Sequence, residues 1–166
     1  MSKITLMGNE INTNGQIPAA GSKAVDFKLV DSANLEEVSL ESFGNARKVL
    51  NIFPSLDTPT CAMSVRKFNE NAAALANTVV LNISRDLPFA QQRFCGAEGI
   101  TNAKTLSTFR STFEKDYNLQ IIDGPLAGLA SRVVIVLDGD NQVIYSQQVG
   151  EIADEPNYEA ALNSLK

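Results

Sequence analysis

The chain has no histidine and no tryptophan, and only two cysteines, among 166 residues. Without histidine, Cys–His and Ser–His–Asp catalysis are excluded, and so are most zinc sites. Two thiols, at 61 and 95 with no Cys-x-x-Cys, make neither a thiolate metal cage nor a disulfide-dense secreted scaffold. Positive charge is scarce: 14 Lys and Arg stand against 19 Asp and Glu, a net charge of −5. That balance argues against nucleic acid and anionic membrane surfaces as partners. No stretch reaches the roughly 20 apolar residues of a membrane span. Gly-x-Gly-x-x-Gly and the P-loop pattern are missing too, so no nucleotide cofactor is expected. The opening Met1-Ser2-Lys3-Ile4-Thr5-Leu6 is not an apolar secretory leader, and a cytoplasmic protein is expected.

What is present is an ordinary globular composition, 44% hydrophobic and 20% charged. It suits a single domain over 1–166 with a sizeable core. Residues 3–18 alternate loosely around Asn12-Thr13-Asn14-Gly15, and Asn-Gly predicts the turn of an N-terminal β-hairpin over 1–18. Short strands are expected at 27–30 and 37–40, and a buried central strand at the apolar run 48–53. A helix follows over about 59–76, with Thr58 as cap and Pro59 at its first position. A strand at 78–84 precedes a helix opened by Asp86-Leu87-Pro88 and ended by Gly96. Leu106–Tyr117 reads as a third helix, 132–137 as a buried strand, and 142–149 as its antiparallel partner through Asp138-Gly139-Asp140-Asn141. A helix over 155–166 closes the chain. This order is that of an α/β thioredoxin-like fold, a central mixed β-sheet flanked by helices, with the hairpin added.

Cys61 stands where chemistry is expected. It follows Val49-Leu50-Asn51-Ile52-Phe53 and the turn Pro54-Ser55-Leu56-Asp57-Thr58-Pro59-Thr60, at the start of the expected helix. Backbone N–H groups and the dipole at a helix N-terminus favour thiolate over thiol without any histidine. Asp57 opposes this as a like charge unless its carboxylate faces solvent. Spacing with Val65 and Phe68 is also compatible with an unreactive core thiol.

Pro54-x-x-x-Thr58-x-x-Cys61 matches the Pro-x-x-x-Thr/Ser-x-x-Cys motif of the peroxiredoxins. Ser64-Val65-Arg66-Lys67-Phe68-Asn69, Asp86-Leu87-Pro88-Phe89-Ala90-Gln91, Arg93-Phe94-Cys95-Gly96-Ala97-Glu98-Gly99 and Arg132-Val133-Val134-Ile135-Val136-Leu137-Asp138 extend the likeness over nearly the whole chain. On these segments the protein resembles the bacterial thiol peroxidase branch of that family, whose members are atypical two-cysteine peroxiredoxins.

The resemblance implies that Cys61 attacks a hydroperoxide and becomes a sulfenic acid. Cys95 then resolves it as an intramolecular disulfide, which thioredoxin reduces. It implies that Thr58 orients the peroxide, Pro54 shapes and screens the turn, and Arg132 supports the charge on sulfur and oxygen. Helix capping by Thr58 is equally compatible with the sequence. Arg66, Arg85 and Arg93 are rival donors, and only the resemblance selects Arg132. It further implies antioxidant defence, a homodimer, a preference for alkyl or lipid hydroperoxides over hydrogen peroxide, and no metal or other cofactor. A peroxide-responsive sensor or relay with little turnover is the alternative use of the same two thiols.

Overall fold

The computed structural model describes residues 2–72, 75–99 and 103–166. Its elements are β1 (Lys3–Leu6), β2 (Asn9–Asn12), β3 (Leu29–Asp31), β4 (Glu37–Val38), a 3-10 turn (Leu40–Phe43), β5 (Arg47–Ile52), α1 (Pro59–Ala72), β6 (Thr78–Ser84), α2 (Pro88–Glu98), β7 (Lys104–Ser107), α3 (Phe113–Asp116), β8 (Val133–Leu137), β9 (Val143–Gln148) and α4 (Tyr158–Asn163). Seven strands form one mixed sheet in the order β4-β3-β7-β6-β5-β8-β9, and β1 and β2 form a separate hairpin. The expected thioredoxin-like architecture with its N-terminal hairpin is present.

The central strands are almost wholly buried because both sheet faces are covered, and their period of two divides the apolar residues between two cores. On one face Leu50, Ile52, Leu81, Ile83, Ile135 and Leu137 pack with Phe27, Phe113 and Tyr117. On the other, Val49, Val80, Val134 and Val136 pack under Phe68 and Ala72 of α1 and Ala161 of α4. Full burial of a side chain such as Phe68 stabilises the fold by roughly 1.5–3 kcal/mol. Alternation along β8 then assigns residue 132 to the α1 face, with Val134 and Val136.

Register brings two distant segments together. β5 runs parallel to β6 and antiparallel to β8, with Ile52 opposite Val133. The chain leaving β5 toward Cys61 and the residue entering β8, Arg132, therefore emerge at the same sheet end. A polar ladder lies buried beneath α1: the Asn51 side-chain amide donates to Asn82 Oδ1 (3.0 Å) and Ser64 Oγ (3.2 Å), and Ser64 Oγ donates to the Cys61 carbonyl (2.8 Å).

Several elements differ from expectation. The hairpin turns at Met7-Gly8, with φ of 52° and 84°, and Leu6 pairs with Asn9. Two positive φ angles in a two-residue loop match the strand twist, and Gly8 supplies the one that costs a side chain most. Asn14-Gly15 lies beyond the hairpin, tied by Asn14 to Gln120 and Lys115. Leu106 and Ser107 belong to β7, and only Phe113–Asp116 is helical in the stretch expected as a third helix. Leu106 and Phe109 stand three apart, a helical spacing, but pairing with β6 and β3 makes the stretch a strand. Gly96 lies inside α2, and Gly99, left-handed at φ 66°, ends it by donating to the Cys95 carbonyl. The last expected turn of the helix after Cys61 includes residues 73–74, which lie outside the described residues; Leu75 is already a bend.

Candidate active site

The loop before Cys61 is pinned by one carboxylate. Asp86 accepts from Ser55 Oγ at 2.7 Å through one oxygen, and from the Leu56 amide (2.8 Å) and Ser84 Oγ (2.7 Å) through the other. The Asp86 carbonyl in turn accepts from Ser107 Oγ at 2.5 Å. The Asp86-Leu87-Pro88 stretch opens α2 as expected, with Pro88 as its first residue, and Asp86 also fastens the ends of β6 and β7 to the turn that delivers the thiol. Asp57 is exposed, facing solvent. The Thr58 hydroxyl donates to the Ser55 carbonyl at 2.9 Å, and the Thr58 carbonyl accepts the Ala62 amide at 3.1 Å. It is therefore the Thr58 backbone that joins the first turn of α1, while its side chain braces the preceding loop.

Cys61 has no accessible surface and packs with Phe53, Leu56 and Val65, with Phe94 of α2 against them. Among the described residues its sulfur accepts one hydrogen bond, from Arg132 Nη2 at 3.2 Å. The expected contribution from helix-terminal amides is not realised as hydrogen bonds to sulfur; the guanidinium holds that position. Arg132 is itself 1% exposed. Its Nε donates to the Ile152 carbonyl at 2.8 Å, and no acceptor among the described residues reaches Nη1. A guanidinium cannot shed its proton here, so its charge is matched by the sulfur when that is ionised. The rivals are occupied or elsewhere: Arg66 forks onto Glu98 with two 2.8 Å bonds, and Arg85 reaches Glu114 at 3.3 Å. Among the described residues neither they nor Arg93 hydrogen-bond to the thiol.

Pro54, Thr58 and Arg132 share a cavity of about 240 Å³ whose apolar walls include Leu6, Leu126 and Ile152. Leu6 comes from the hairpin, so that appendage contributes to the site. Thr60 Oγ1 donates to the Ala153 carbonyl at 2.8 Å, tying the start of α1 to the same 150–153 loop that accepts from Arg132.

Cys95 lies apart from this cluster. It is half-buried, both thiols are free, and its sulfur is 3.6 Å from Thr105 Oγ1. Burial pushes the Cys95 thiol above the ordinary range, partly countered by the Thr105 hydroxyl. It lines a second hollow, about 510 Å³, with Gln92, Lys104 and Thr105. The structure thus brings Cys61, Arg132, Thr58 and Pro54 to one site and leaves Cys95 facing β7, one residue past the Phe94 that touches the Cys61 cluster. Sequence reasoning misses Asp86 and the 151–153 loop, because their roles depend on long-range bonds to Ser55 and to backbone groups that no motif spells out. Among the described residues no cluster of three His, Cys, Asp or Glu is placed to hold a metal, and no helix is long and apolar enough to cross a membrane.

The Redoxin family model matches residues 19–162. The chain is 53% identical over 165 residues to the thiol peroxidases of Mycobacterium bovis and Mycobacterium tuberculosis, covering 99% of each and of itself. In structure it is similar to a peroxiredoxin-like protein from Aquifex aeolicus (TM-score 0.93, 34% identity, 99% of this chain and 96% of that one). It is also similar to a thiol peroxidase from Chromobacterium violaceum (TM-score 0.92, 25% identity, with the same coverage).

Proposed function

Because this chain belongs to the redoxin family and is a thiol peroxidase, an enzyme that reduces peroxides, we propose that its two thiols work in sequence. The Cys61 thiolate attacks the terminal oxygen of a hydroperoxide. The S–O bond forms as the O–O bond breaks, the departing alkoxide takes a proton and leaves as an alcohol, and Cys61 is left as a sulfenic acid. Arg132 supports the reaction from both sides of the barrier: it stabilises the thiolate, and its Nη1 is free to donate to the oxygen on which charge develops. Thr58 lines the cavity where the peroxide lies and orients it, and Pro54 walls the turn without offering an N–H to water. The Cys95 thiolate then attacks the Cys61 sulfur, expelling water after protonation, and a disulfide forms. Thioredoxin supplies the two electrons that reopen it, at a potential near −270 mV.

The observation that carries this reading is the 3.2 Å hydrogen bond between two fully buried groups, Arg132 and Cys61. The cavity beside them is mostly apolar, which supports a preference for alkyl or lipid hydroperoxides over hydrogen peroxide. The working form is a cytoplasmic homodimer, by the same resemblance. Turnover assayed with thioredoxin supplied, comparing cumene hydroperoxide with hydrogen peroxide, tests the proposal. Fast thioredoxin-dependent turnover favouring cumene hydroperoxide is expected. Slow thiol loss with a long-lived oxidised form would turn the assignment toward a sensor or relay.

A further inference from the structure

One carboxylate outside the thiol cluster gathers an unusual set of donors. Glu151 Oε1 accepts from the Gly8 amide (2.9 Å) and Thr5 Oγ1 (3.1 Å), and Oε2 accepts from the Ala153 amide (2.9 Å) and the Met7 amide (3.2 Å). Two backbone bonds run alongside, Thr5 N to the Gly150 carbonyl at 2.7 Å and Ile152 N to the Thr5 carbonyl at 2.9 Å. The positive φ angles of Met7 and Gly8 present both turn amides to the same anion. These donors, Ala153 and Gly8 first, hold the Glu151 carboxyl at about 2, so the anion persists at any working pH.

The position of these bonds matters more than their number. The hairpin side of the joint carries Leu6, and the loop side carries Ile152, both on the cavity wall. The same loop provides the Ile152 carbonyl to Arg132 Nε and the Ala153 carbonyl to Thr60. We propose that Glu151 is a positioning residue for the peroxide reaction: it clasps the hairpin turn to the loop that holds Arg132, and so sets Leu6 as the wall against which an apolar peroxide packs. This rests on the reading that the substrate is an organic hydroperoxide, and it makes the hairpin part of the selectivity of the enzyme.

The test is the second-order rate of Cys61 oxidation in single turnover, with cumene hydroperoxide and hydrogen peroxide, for wild type, Leu6→Ala, Glu151→Ala, Glu151→Gln and the Leu6→Ala/Glu151→Ala pair. The readout is the cumene-to-hydrogen-peroxide rate ratio. A lost apolar pocket contact changes discrimination by roughly tenfold, and that drop is expected in Leu6→Ala and in Glu151→Ala. Glu151→Gln should fall between, since the amide keeps one acceptor and turns an NH₂ toward the other donors. The double variant should lose little beyond either single one, because both remove the same wall. A role limited to fold stability would lower the melting temperature and leave the ratio alone. If wild type prefers cumene hydroperoxide and Glu151→Ala keeps that preference, or if the two losses simply multiply, the clasp is overturned and the substrate reading stands. A wild-type ratio near one would overturn both.

Discussion

Helices α1 and α2 carry one cysteine each, and the fold holds them in opposite ways. α1 buries Cys61, Ala62, Ser64, Val65, Phe68 and Ala72 against the sheet, whereas α2 buries only Pro88 and Gln91. Residues at the start of α2 face outward, with Leu87 53% and Phe89 69% exposed. The polar fastenings differ in the same direction. Cys61 is reached by Arg132 and flanked by the Asp86 and Ser64 bonds, while Cys95 has one long contact to Thr105. A nucleophile that must meet a peroxide in one geometry gains from rigid surroundings. On the proposed reading Cys95 must leave its resting place to resolve Cys61, because a disulfide requires Cα atoms within about 7 Å and the two sulfurs start in separate surroundings. The weakly buried helix is the part of the molecule that can open at low cost.

The contrast can be broken most severely at the sulfurs. Cys61→Ser should reduce peroxide consumption to background. Cys95→Ser should leave one full turnover intact, seen as a burst of sulfenic acid, and then stop cycling with thioredoxin. Multi-turnover activity in Cys61→Ser, or no burst in Cys95→Ser, would reverse the roles. Next in size is Arg132→Met, which keeps bulk and removes the donor. Loss of a comparable charge-stabilising donor costs about 10²–10³ in rate, and the loss should fall on Cys61 oxidation and not on disulfide formation.

Two smaller effects sharpen the α2 side. Burial raises the Cys95 thiol above the ordinary range, so the folded protein keeps it protonated and that stabilisation is lost as pH climbs past the ordinary thiol value. Iodoacetamide labelling of Cys95 in a Cys61→Ser background should therefore rise with pH through a midpoint above that of a free thiol. A midpoint at or below the free-thiol value would mean that α2 is already open. Gly96 lies within α2 with open space around its Cα, and Gly96→Ala should stiffen the helix by about 1 kcal/mol. If opening precedes disulfide formation, that step slows roughly fivefold, as rapid-quench thiol trapping would record. An unchanged rate would show that the helix does not need to unwind.

The legible parts of this chain are the ones whose signals are local. Pro59 after Thr58, the apolar run before the turn, and helical spacing from Cys61 to Phe68 place the thiol on a strand-to-helix junction from sequence alone. The β8 run and its Asp138–Asn141 turn are equally self-contained. Arg132 could be ranked above Arg66, Arg85 and Arg93 only by resemblance, because the Ile52–Val133 register that selects it is a long-range property. Residues 106–107 misled because their strand is decided by neighbours on both sides. The hairpin turn misled because Asn14-Gly15 carries the stronger motif, while a methionine at positive φ is rare and unadvertised. Asp86 and Glu151 act by accepting from main-chain amides and from Ser or Thr hydroxyls, most of them brought in from distant segments, so nothing local marks them.

The antiparallel join of Ile52 to Val133 has a consequence for how this protein can be rebuilt. The Cys61 sulfur and the Arg132 guanidinium are 71 positions apart along the chain, yet the segments that carry them leave the same rung. Adding one residue within β8 would turn Arg132 or the residues beyond the insertion to the opposite layer, and adding one within β5 would do the same to the segment leading to Cys61. Grafts that spare this rung, the loop at 150–153 and the Asp86 anchor can exchange the tip between β8 and β9 while the chemistry keeps its spacing.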